Sequence, residues 1–323
     1  MPKRILITGA NGFVGRFLGH YLHNNGYQIV HGLRNRHSDS THLAPGDKVY
    51  SGVIDEQTNW SNALVDVDCV IHLAARVHVM QETDSNPLAA FQQTNFHGSL
   101  NLARQAINAG VKRFIYLSTI KVNGESTNDK AFFADDPPVS LQEPYAIAKQ
   151  QAENELLALS QQKLIEVAII RPPLVYGPAV KGNYLRLMKL VEKKLPLPFA
   201  KINNQRSLVS VHNLSSLIQT CIEHPKAAGE IFLVSDGKAL STSQLLEALA
   251  KGLNCQNRLF YFPHVFLRIL TTIIGKSKEY ERLFGSLKVD IEKNRELLDW
   301  QPNIDMHDAM LETIRYYQQH QKK

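Results

Sequence analysis

Residues 4–15 read RILITGANGFVG, and this stretch decides the fold. RILIT is a short apolar run typical of a buried strand, and FVGRFLGHYL continues with the apolar spacing of a helix. Between them, Gly9, Gly12 and Gly15 form the pattern G-x-x-G-x-x-G at a strand-to-helix turn. Glycine permits a tight turn and a close approach of the backbone to a pyrophosphate, which the N–H groups at a helix N-terminus can bind. We therefore predict a dinucleotide site formed by Gly9, Asn11, Gly12, Phe13, Val14 and Gly15.

Strand-like and helix-like segments continue to alternate after this turn. Helices are predicted near 87–109 and from about residue 144, and strands over 27–33, 48–54, 68–74, 113–118 and 165–171. This alternation predicts an α/β fold, a doubly wound parallel sheet that binds its ligand at the carboxyl ends of the strands. We place this sheet in a domain of residues 1–171, to which the chain returns near 209–235. Residues 172–208 and 236–323 are predicted to form a smaller C-terminal α/β substrate lobe.

The composition narrows the classes of partner. The chain has 323 residues and a net charge of +6, which fits an anionic small molecule. Its basic residues are scattered rather than gathered in a stripe, so no nucleic-acid site is predicted. The three cysteines are widely spaced, which argues against a disulfide framework and a zinc site and fits a cytoplasmic location. No metal site and no signal peptide are predicted.

The most apolar run is VFLRILTTIIG, residues 265–275. It is too short to cross a bilayer, and no membrane partner is predicted. We interpret it as a buried or lobe-covering helix, the alternative being a helix at a membrane surface.

The end of the second predicted strand bears on the choice of cofactor. An acidic residue there binds the ribose 2′-hydroxyl of NAD, whereas an arginine suits the 2′-phosphate of NADP. The sequence has Leu33-Arg34-Asn35-Arg36, and its first acid is Asp39. This favours NADP(H), the alternative being that Arg34 stacks on adenine.

Residues 143–151 read EPYAIAKQQ and place Tyr145 and Lys149 on one face of a helix. Such a pair can simply be two exposed side chains on the protein surface with no role in catalysis. It can also be a phenol that exchanges a proton with help from an ammonium group, because a nearby positive charge lowers a pKa that is otherwise near 10.

Six motifs occur in an order that resembles a known family: TGANGFVG (8–15), HLAA (72–75), TNFHGSLNL (94–102), LSTIKVNG (117–124), YAIAK (145–149) and RPPLVYGP (171–178). Together they resemble the extended short-chain dehydrogenases/reductases, the nucleotide-sugar epimerases and dehydratases. The resemblance covers essentially the whole chain. It implies a Rossmann fold, NAD(P) as cofactor, a UDP-sugar substrate and a homodimer.

The resemblance also implies individual roles. Tyr145 matches the acid/base tyrosine, Lys149 its lysine, and Thr119 the residue that hydrogen-bonds the reacting sugar oxygen. Further cofactor contacts are implied for Leu73, Ala74, Ala75, Asn95, Ser118, Pro172 and Val175; Asn95 could instead bridge its helix. Substrate phosphates are assigned to Asn183, Arg206 and Arg282. Lys121 either reaches substrate oxygens or is solvated surface.

One departure from the family restricts the reaction. Dehydratases follow the catalytic threonine with Asp-Glu, whereas Thr119 is followed here by Ile120-Lys121, so dehydration is not predicted. The leading hypothesis is a 4-epimerase of a UDP-hexose or UDP-N-acetylhexosamine. The alternative is an NADPH-dependent 4-ketoreductase of a UDP-4-keto-6-deoxy sugar, N-acetylated or not, which Arg34 favours. A third reading is a non-catalytic NADP-sensing protein.

Overall fold

The computed structural model describes residues 2–35, 37, 40–77, 86–127, 130–136, 141–275 and 277–320. Arg36 and Asp39, which entered the argument about the cofactor, lie outside this range. The strands are β1 (Arg4–Thr8), β2 (Gln28–Leu33), β3 (Asp47–Tyr50), β4 (Cys69–His72), β5 (Arg113–Leu117), β6 (Glu166–Arg171), β7 (Leu174–Tyr176), β8 (Arg206–Ser210), β9 (Glu230–Leu233) and β10 (Ala239–Leu240). The helices are α1 (Phe13–Asn24), α2 (Pro87–Gln92), α3 (Ser99–Asn108), α4 (Pro144–Gln161), α5 (Gly182–Glu192), α6 (Val211–Glu223), α7 (Thr242–Gly252), α8 (His264–Ile273), α9 (Ser277–Phe284), α10 (Glu292–Leu298) and α11 (Met306–His320).

In the described part of the chain, seven strands form one sheet in the order β3-β2-β1-β4-β5-β6-β9. Every neighbouring pair in this sheet is parallel. The predicted α/β fold with a parallel Rossmann sheet is therefore confirmed. The strand order reverses between β1 and β4, and such a switch point opens a crevice at the carboxyl ends of the strands.

Alternate residues of β1 serve the two faces of the sheet. Ile5 and Ile7 join the core that contains α1 and α6, and Leu6 joins the core on the other face, with α3 and α4. All three side chains are fully buried. This burial on both faces explains why RILIT is a continuous apolar run rather than an alternating one.

The C-terminal part adds a smaller sheet in the order β10-β8-β7 and a core of its own. Tyr184 of α5, Leu249 of α7 and Met310 of α11 belong to that core. Leu298 and Trp300, however, pack into the core of the large sheet. The predicted domain boundaries stay a prediction.

Two predicted elements differ from the structure. The strand predicted over 48–54 ends at Tyr50, and Gly52 turns the chain with a φ of 71°. The apolar run 265–275 forms α8, but none of its residues is buried. The interpretation of a buried helix is therefore wrong, because apolar spacing predicts one apolar helix face but does not determine what covers it.

Candidate functional site

The glycine turn between β1 and α1 is fixed by backbone packing. Gly9 has a φ of 68°, and a Cβ there would lie 2.9 Å from the Cα and N atoms of Ala74. A Cβ on Gly15 would lie 2.3 Å from the carbonyl oxygen of Gly9. Both positions therefore require glycine, the first also for its left-handed backbone.

The N-terminus of α1 is open to a ligand. Among the described residues no side chain caps it, and no acid lies in its first turn. Its first residues, Phe13, Val14 and Gly15, line a cavity of about 610 Å³. The free N–H groups and the positive dipole end there suit an anionic group such as a pyrophosphate.

This cavity collects residues from the ends of β1, β2, β4 and β5 and from α4. The residues that we predicted for the site and that line it are Gly9, Asn11, Gly12, Phe13, Val14, Gly15, Arg34, Leu73, Ala74, Ala75, Ser118, Tyr145 and Lys149. The sequence analysis missed the segment Ser51–Ile54, which also lines the cavity. The strand predicted over 48–54 runs through this segment, whereas β3 ends at Tyr50. A loop at a carboxyl end is where a doubly wound sheet binds its ligand.

Ser118 lines this cavity with an unsatisfied hydroxyl. Its Oγ is buried, and no group in the described part of the chain hydrogen-bonds it. An unpaired buried hydroxyl costs about 1–3 kcal/mol, which a polar ligand atom would recover. The open N-terminus of α1 and the Ser118 hydroxyl lie in one cavity lining, and together they fit a single dinucleotide cofactor.

His72 organises the floor of the site, a role that the sequence analysis missed. The backbone N–H of Ala74 donates to Thr8 Oγ1 (3.2 Å), and that hydroxyl donates to His72 Nδ1 (2.7 Å). His72 Nε2 then donates to Ser99 Oγ (2.9 Å), because the Ser99 hydroxyl donates onward to the Asn95 carbonyl (2.9 Å). Burial lowers the pKa of His72 to about 3, so its ring is neutral. The motif HLAA held the signal, since a histidine in a fully buried strand requires polar partners.

Asn95 supports the same loop without lining the cavity. Its amide accepts from the N–H of Arg76 (2.8 Å) and donates to the carbonyl of Arg76 (2.9 Å). Asn95 thus bridges its helix to the loop after β4, whereas the sequence alternative was a cap or bridge within the helix itself. Pro172 and Val175 also lie outside the cavity lining. The carbonyl of Pro172 accepts from the N–H of Ile120 (3.0 Å), next to Thr119.

Lys149 is buried at the cavity and held in place. Its Nζ donates to the Leu117 carbonyl (2.8 Å) and lies 4.2 Å from the centroid of the Tyr116 ring. Burial lowers the pKa of Lys149 to about 7, against the opposing charge of Glu153. Charged and neutral forms of Lys149 therefore coexist near neutral pH.

Tyr145 lies one helical turn before Lys149, and its pKa is raised, first by burial and then by the negative charge of Glu143. This direction is opposite to the lowering that we expected from the sequence. The reason is that burial acts on both groups of the pair, disfavouring the phenolate and the ammonium alike. A lowered pKa at Tyr145 requires a further positive charge in the cavity.

Thr119 and Lys121 form the loop that follows β5. Thr119 is half-buried, and its Oγ1 accepts from the N–H of Lys121 (3.3 Å). The Lys121 ammonium pairs with Glu143 and, at 3.3 Å, with Glu125. The Lys121 and Glu143 side chains are 22% and 17% exposed, so Lys121 belongs to a partly buried ion pair, and its role toward a substrate stays a prediction.

Arg206 and Arg282 are brought together by β8 and α9. Arg206 donates to the Gly285 carbonyl (2.8 Å), and its pKa is lowered by burial and by the charge of Arg282. Two guanidinium groups close enough to repel each other attract an anion with more than one charged oxygen. Asn183 lies exposed in the first turn of α5.

Two absences among the described residues bear on the class of site. No three His, Cys, Asp or Glu side chains there come close enough together to hold a metal ion. None of the helices described is both long and apolar enough to cross a membrane.

Comparison with known proteins identifies similar chains. The model of the NAD-dependent epimerase/dehydratase family matches residues 5–235. A UDP-glucose 4-epimerase of Vibrio cholerae is 40% identical over 321 residues, which cover 99% of this chain and 97% of that protein.

Two crystal structures share the fold. The UDP-glucose 4-epimerase of Thermotoga maritima with UDP-glucose matches with a TM-score of 0.79 at 22% identity, over 98% of this chain and 99% of that one. A dTDP-glucose 4,6-dehydratase of Streptomyces venezuelae with NAD bound matches with a TM-score of 0.79 at 22% identity, over 99% and 98%.

Proposed function

The chain belongs to the NAD-dependent epimerase/dehydratase family, and on this basis we propose that it is a 4-epimerase of a UDP-hexose or UDP-N-acetylhexosamine. The observation that carries the proposal is the position of Tyr145 and Lys149. Both line the cavity that begins at the glycine turn, and the unsatisfied Ser118 hydroxyl lies in the same lining. An acid/base pair thus shares one cavity with the residues that fit a dinucleotide.

The residues of the chain divide the work as follows. Tyr145 takes the proton of the sugar 4-hydroxyl and later returns it, and Thr119 hydrogen-bonds the same oxygen. Lys149, fixed by the Leu117 carbonyl, supplies positive charge beside the phenol. Bound NAD(P) would supply reversible hydride transfer at C4, and its oxidised ring would add the further positive charge that Tyr145 requires.

Substrate binding is assigned to the positive residues of the C-terminal part. Arg206 and Arg282 are proposed to hold the diphosphate, with Asn183 at its side. The charge of Glu125 partly offsets the repulsion between the two arginines, since it raises the pKa of Arg206. Lys121 is proposed to stay paired with Glu143 rather than to bind the sugar.

We propose NADP(H) as the preferred cofactor over NAD(H). Arg34 lines the cavity at the carboxyl end of β2, and its carbonyl accepts from the N–H of Gly52 (2.8 Å). An exposed guanidinium at this point suits a 2′-phosphate. We further propose a homodimer in the cytoplasm, on the resemblance and the cysteine usage alone.

The second candidate is an NADPH-dependent 4-ketoreductase, which Arg34 favours because an epimerase recycles its own cofactor. It performs only the second half of the epimerase reaction, giving hydride and a proton to a UDP-4-keto-6-deoxy sugar. A non-catalytic NADP-sensing role is disfavoured, because such a protein has no need of both Tyr145 and Lys149 in the cavity.

Electron balance separates the two enzymes. The purified protein is incubated with UDP-glucose and UDP-N-acetylglucosamine, without cofactor, with NAD and with NADP, and the products are read by NMR. A galacto product without net cofactor use supports the epimerase. Consumption of NADPH with a UDP-4-keto-6-deoxy sugar, and no galacto product, would establish the reductase instead. No reaction with any UDP-sugar would exclude the substrate class.

A further inference from the structure

Helix α8 exposes an apolar face that the rest of the chain leaves uncovered. Val265, Phe266, Ile269, Leu270 and Ile273 are 56%, 61%, 53%, 53% and 76% exposed. At 100° per residue these positions occupy about half of the helix circumference. Most amphipathic helices turn such a face toward the core, so this orientation is the reverse of the usual one.

The apolar surface extends beyond the helix. Three aromatic residues, Phe260, Tyr261 and Phe262, precede α8 and are 43%, 61% and 40% exposed. Ile274, which follows the helix, is 54% exposed. The ring of Phe262 lies 6.2 Å, centroid to centroid, from that of Phe266, which joins this segment to the helix face. Exposed apolar patches of this kind mark interaction sites.

The side of α8 that faces the protein is narrow, and it carries one apolar and one polar residue. Leu267 and Thr271, one turn apart, are its two partly buried residues. His264, Arg268 and Thr272 occupy the remaining arc and are exposed. Helix α8 is thus amphipathic, and its apolar face points away from the molecule.

Basic residues lie near the apolar face along the chain. Residues 248–275 contain Lys251, Arg258 and Arg268 and no Asp or Glu, and the acid that precedes this stretch is Glu247. Lys201 joins them, with its ammonium 5.9 Å from the centroid of the Tyr261 ring. The next acids in the chain are Glu279 and Glu281. A partner surface of negative charge is therefore favoured.

We propose that α8, together with residues 260–262, docks on the surface of an anionic phospholipid bilayer. At 1.5 Å per residue a ten-residue helix is about 15 Å long, which suits a helix lying in the plane of the membrane and not one crossing it. Apolar residues enter the boundary between headgroups and acyl chains, and basic residues meet the headgroup phosphates. This proposal takes up the alternative of a membrane-surface helix that the sequence left open for residues 265–275.

A second copy of the chain is a poorer occupant of this face. A two-fold contact brings the same patch of each copy together, so each basic residue would approach basic residues of the other copy. An anionic bilayer meets the same residues with opposite charge.

Docking would also orient the proposed substrate region. Helix α9, which carries Arg282, packs against α8. The end of α9 is fastened to the lobe, since the Asn204 amide donates to the carbonyls of Leu283 (3.1 Å) and Gly285 (2.9 Å). The proposal itself does not depend on the reaction, and binding to vesicles tests it without any measurement of turnover.

The test is flotation of the full-length protein with phosphatidylcholine vesicles, with and without added phosphatidylglycerol. We expect binding to the anionic vesicles and weaker binding to the neutral ones. The double variant Phe266→Ser with Ile273→Ser should bind the anionic vesicles roughly 10- to 100-fold more weakly, because two large apolar side chains are lost. Arg268→Gln should lower anionic binding roughly fivefold and leave neutral binding unchanged.

The matched control is Val65→Ser with Leu164→Ser, which removes two apolar side chains that are 55% and 49% exposed elsewhere on the surface. It should bind like the wild type, and thermal unfolding should show that both double variants are folded. Absence of binding to anionic vesicles by the wild type would overturn the proposal. Equal binding by the α8 variant would do the same. If the α8 variant is monomeric, the wild type is dimeric and neither binds vesicles, the face is an interface between two copies and the lipid proposal is wrong.

Discussion

Lys121 and Glu143 form an ion pair that joins the loop after β5 to the start of α4, two residues before Tyr145. Glu143 raises the pKa of Tyr145, and Lys121 offsets that negative charge from the other side. The pair therefore adjusts the electrostatic environment of the proposed acid/base group. Sequence analysis left the role of Lys121 open and had no means of finding its partner.

We predict opposite effects of two variants on the pH dependence of turnover. Lys121→Ala leaves the charge of Glu143 unopposed, which disfavours the Tyr145 phenolate. The rise of kcat/KM with pH, which reports deprotonation of Tyr145, should therefore move roughly 0.5–1 pH unit higher. Glu143→Gln removes the negative charge and should move the same rise to lower pH. Profiles of kcat/KM against pH, measured with the UDP-sugar, test both predictions. Shifts of the same sign would show that the pair acts only through folding.

Tyr145→Phe is expected to lower turnover roughly 10²- to 10⁴-fold, because the variant lacks the proton that the hydroxyl exchanges. Cofactor affinity should be largely kept, since only one oxygen of the cavity lining is removed. Steady-state kinetics and cofactor titration provide the two measurements. Turnover near that of the wild type would refute the acid/base assignment.

Arg34→Ala should weaken NADP(H) binding by about 1.5–3 kcal/mol, the range for hydrogen bonds to charged groups, and barely change NAD(H) binding. Its backbone bond with Gly52 does not involve the side chain and stays available in the variant. Titration of both cofactors against both proteins measures the difference. Equal losses for the two cofactors would mean that Arg34 stacks on adenine.

Acid should destabilise the fold through His72. The buried ring has a pKa of about 3 in the folded chain, against 6.5 when unfolded, so the unfolded state binds more protons as pH falls below 6.5. Between pH 7.5 and 5 this one group should remove about 2 kcal/mol of unfolding free energy. Urea unfolding of the wild type and of His72→Gln at both pH values measures it; the variant should lose about 2 kcal/mol less over this interval. An equal pH dependence in the two proteins would place the loss in other groups.

The buried pair of Arg171 and Glu153 supports the end of β6, from which the chain leaves toward β7. The two side chains are 4% and 1% exposed, and Asn123 also accepts from Arg171 (3.0 Å). Glu153→Gln leaves a buried guanidinium without its countercharge and should cost about 3–5 kcal/mol in urea unfolding.

The control for this variant is Glu292→Gln, which breaks the surface ion pair between Glu292 and Arg295. The side chains of Glu292 and Arg295 are 52% and 63% exposed. It should cost less than about 1 kcal/mol. Similar losses of unfolding free energy in the two variants would show that burial does not determine how much the Arg171–Glu153 pair contributes to stability.

The sequence by itself determined the parts of the molecule that depend on neighbouring residues. RILIT, the glycine turn and α1 are consecutive, so their apolar pattern and their glycines were sufficient to predict the strand, the turn and the cavity lining. The same holds for Tyr145 and Lys149, because one helical turn places them side by side whatever surrounds the helix.

Only the tertiary structure decided the properties that depend on groups distant in the chain. Lys121 meets Glu143, and Arg206 meets Arg282, because separate elements converge. The pKa of Tyr145 is raised where a lowering was expected. Burial depends on all the groups packed around the phenol, whereas the sequence shows only its helical neighbour Lys149. The face of α8 is apolar in the sequence and exposed in the structure, because periodicity specifies a face of a helix but not the surface that covers it.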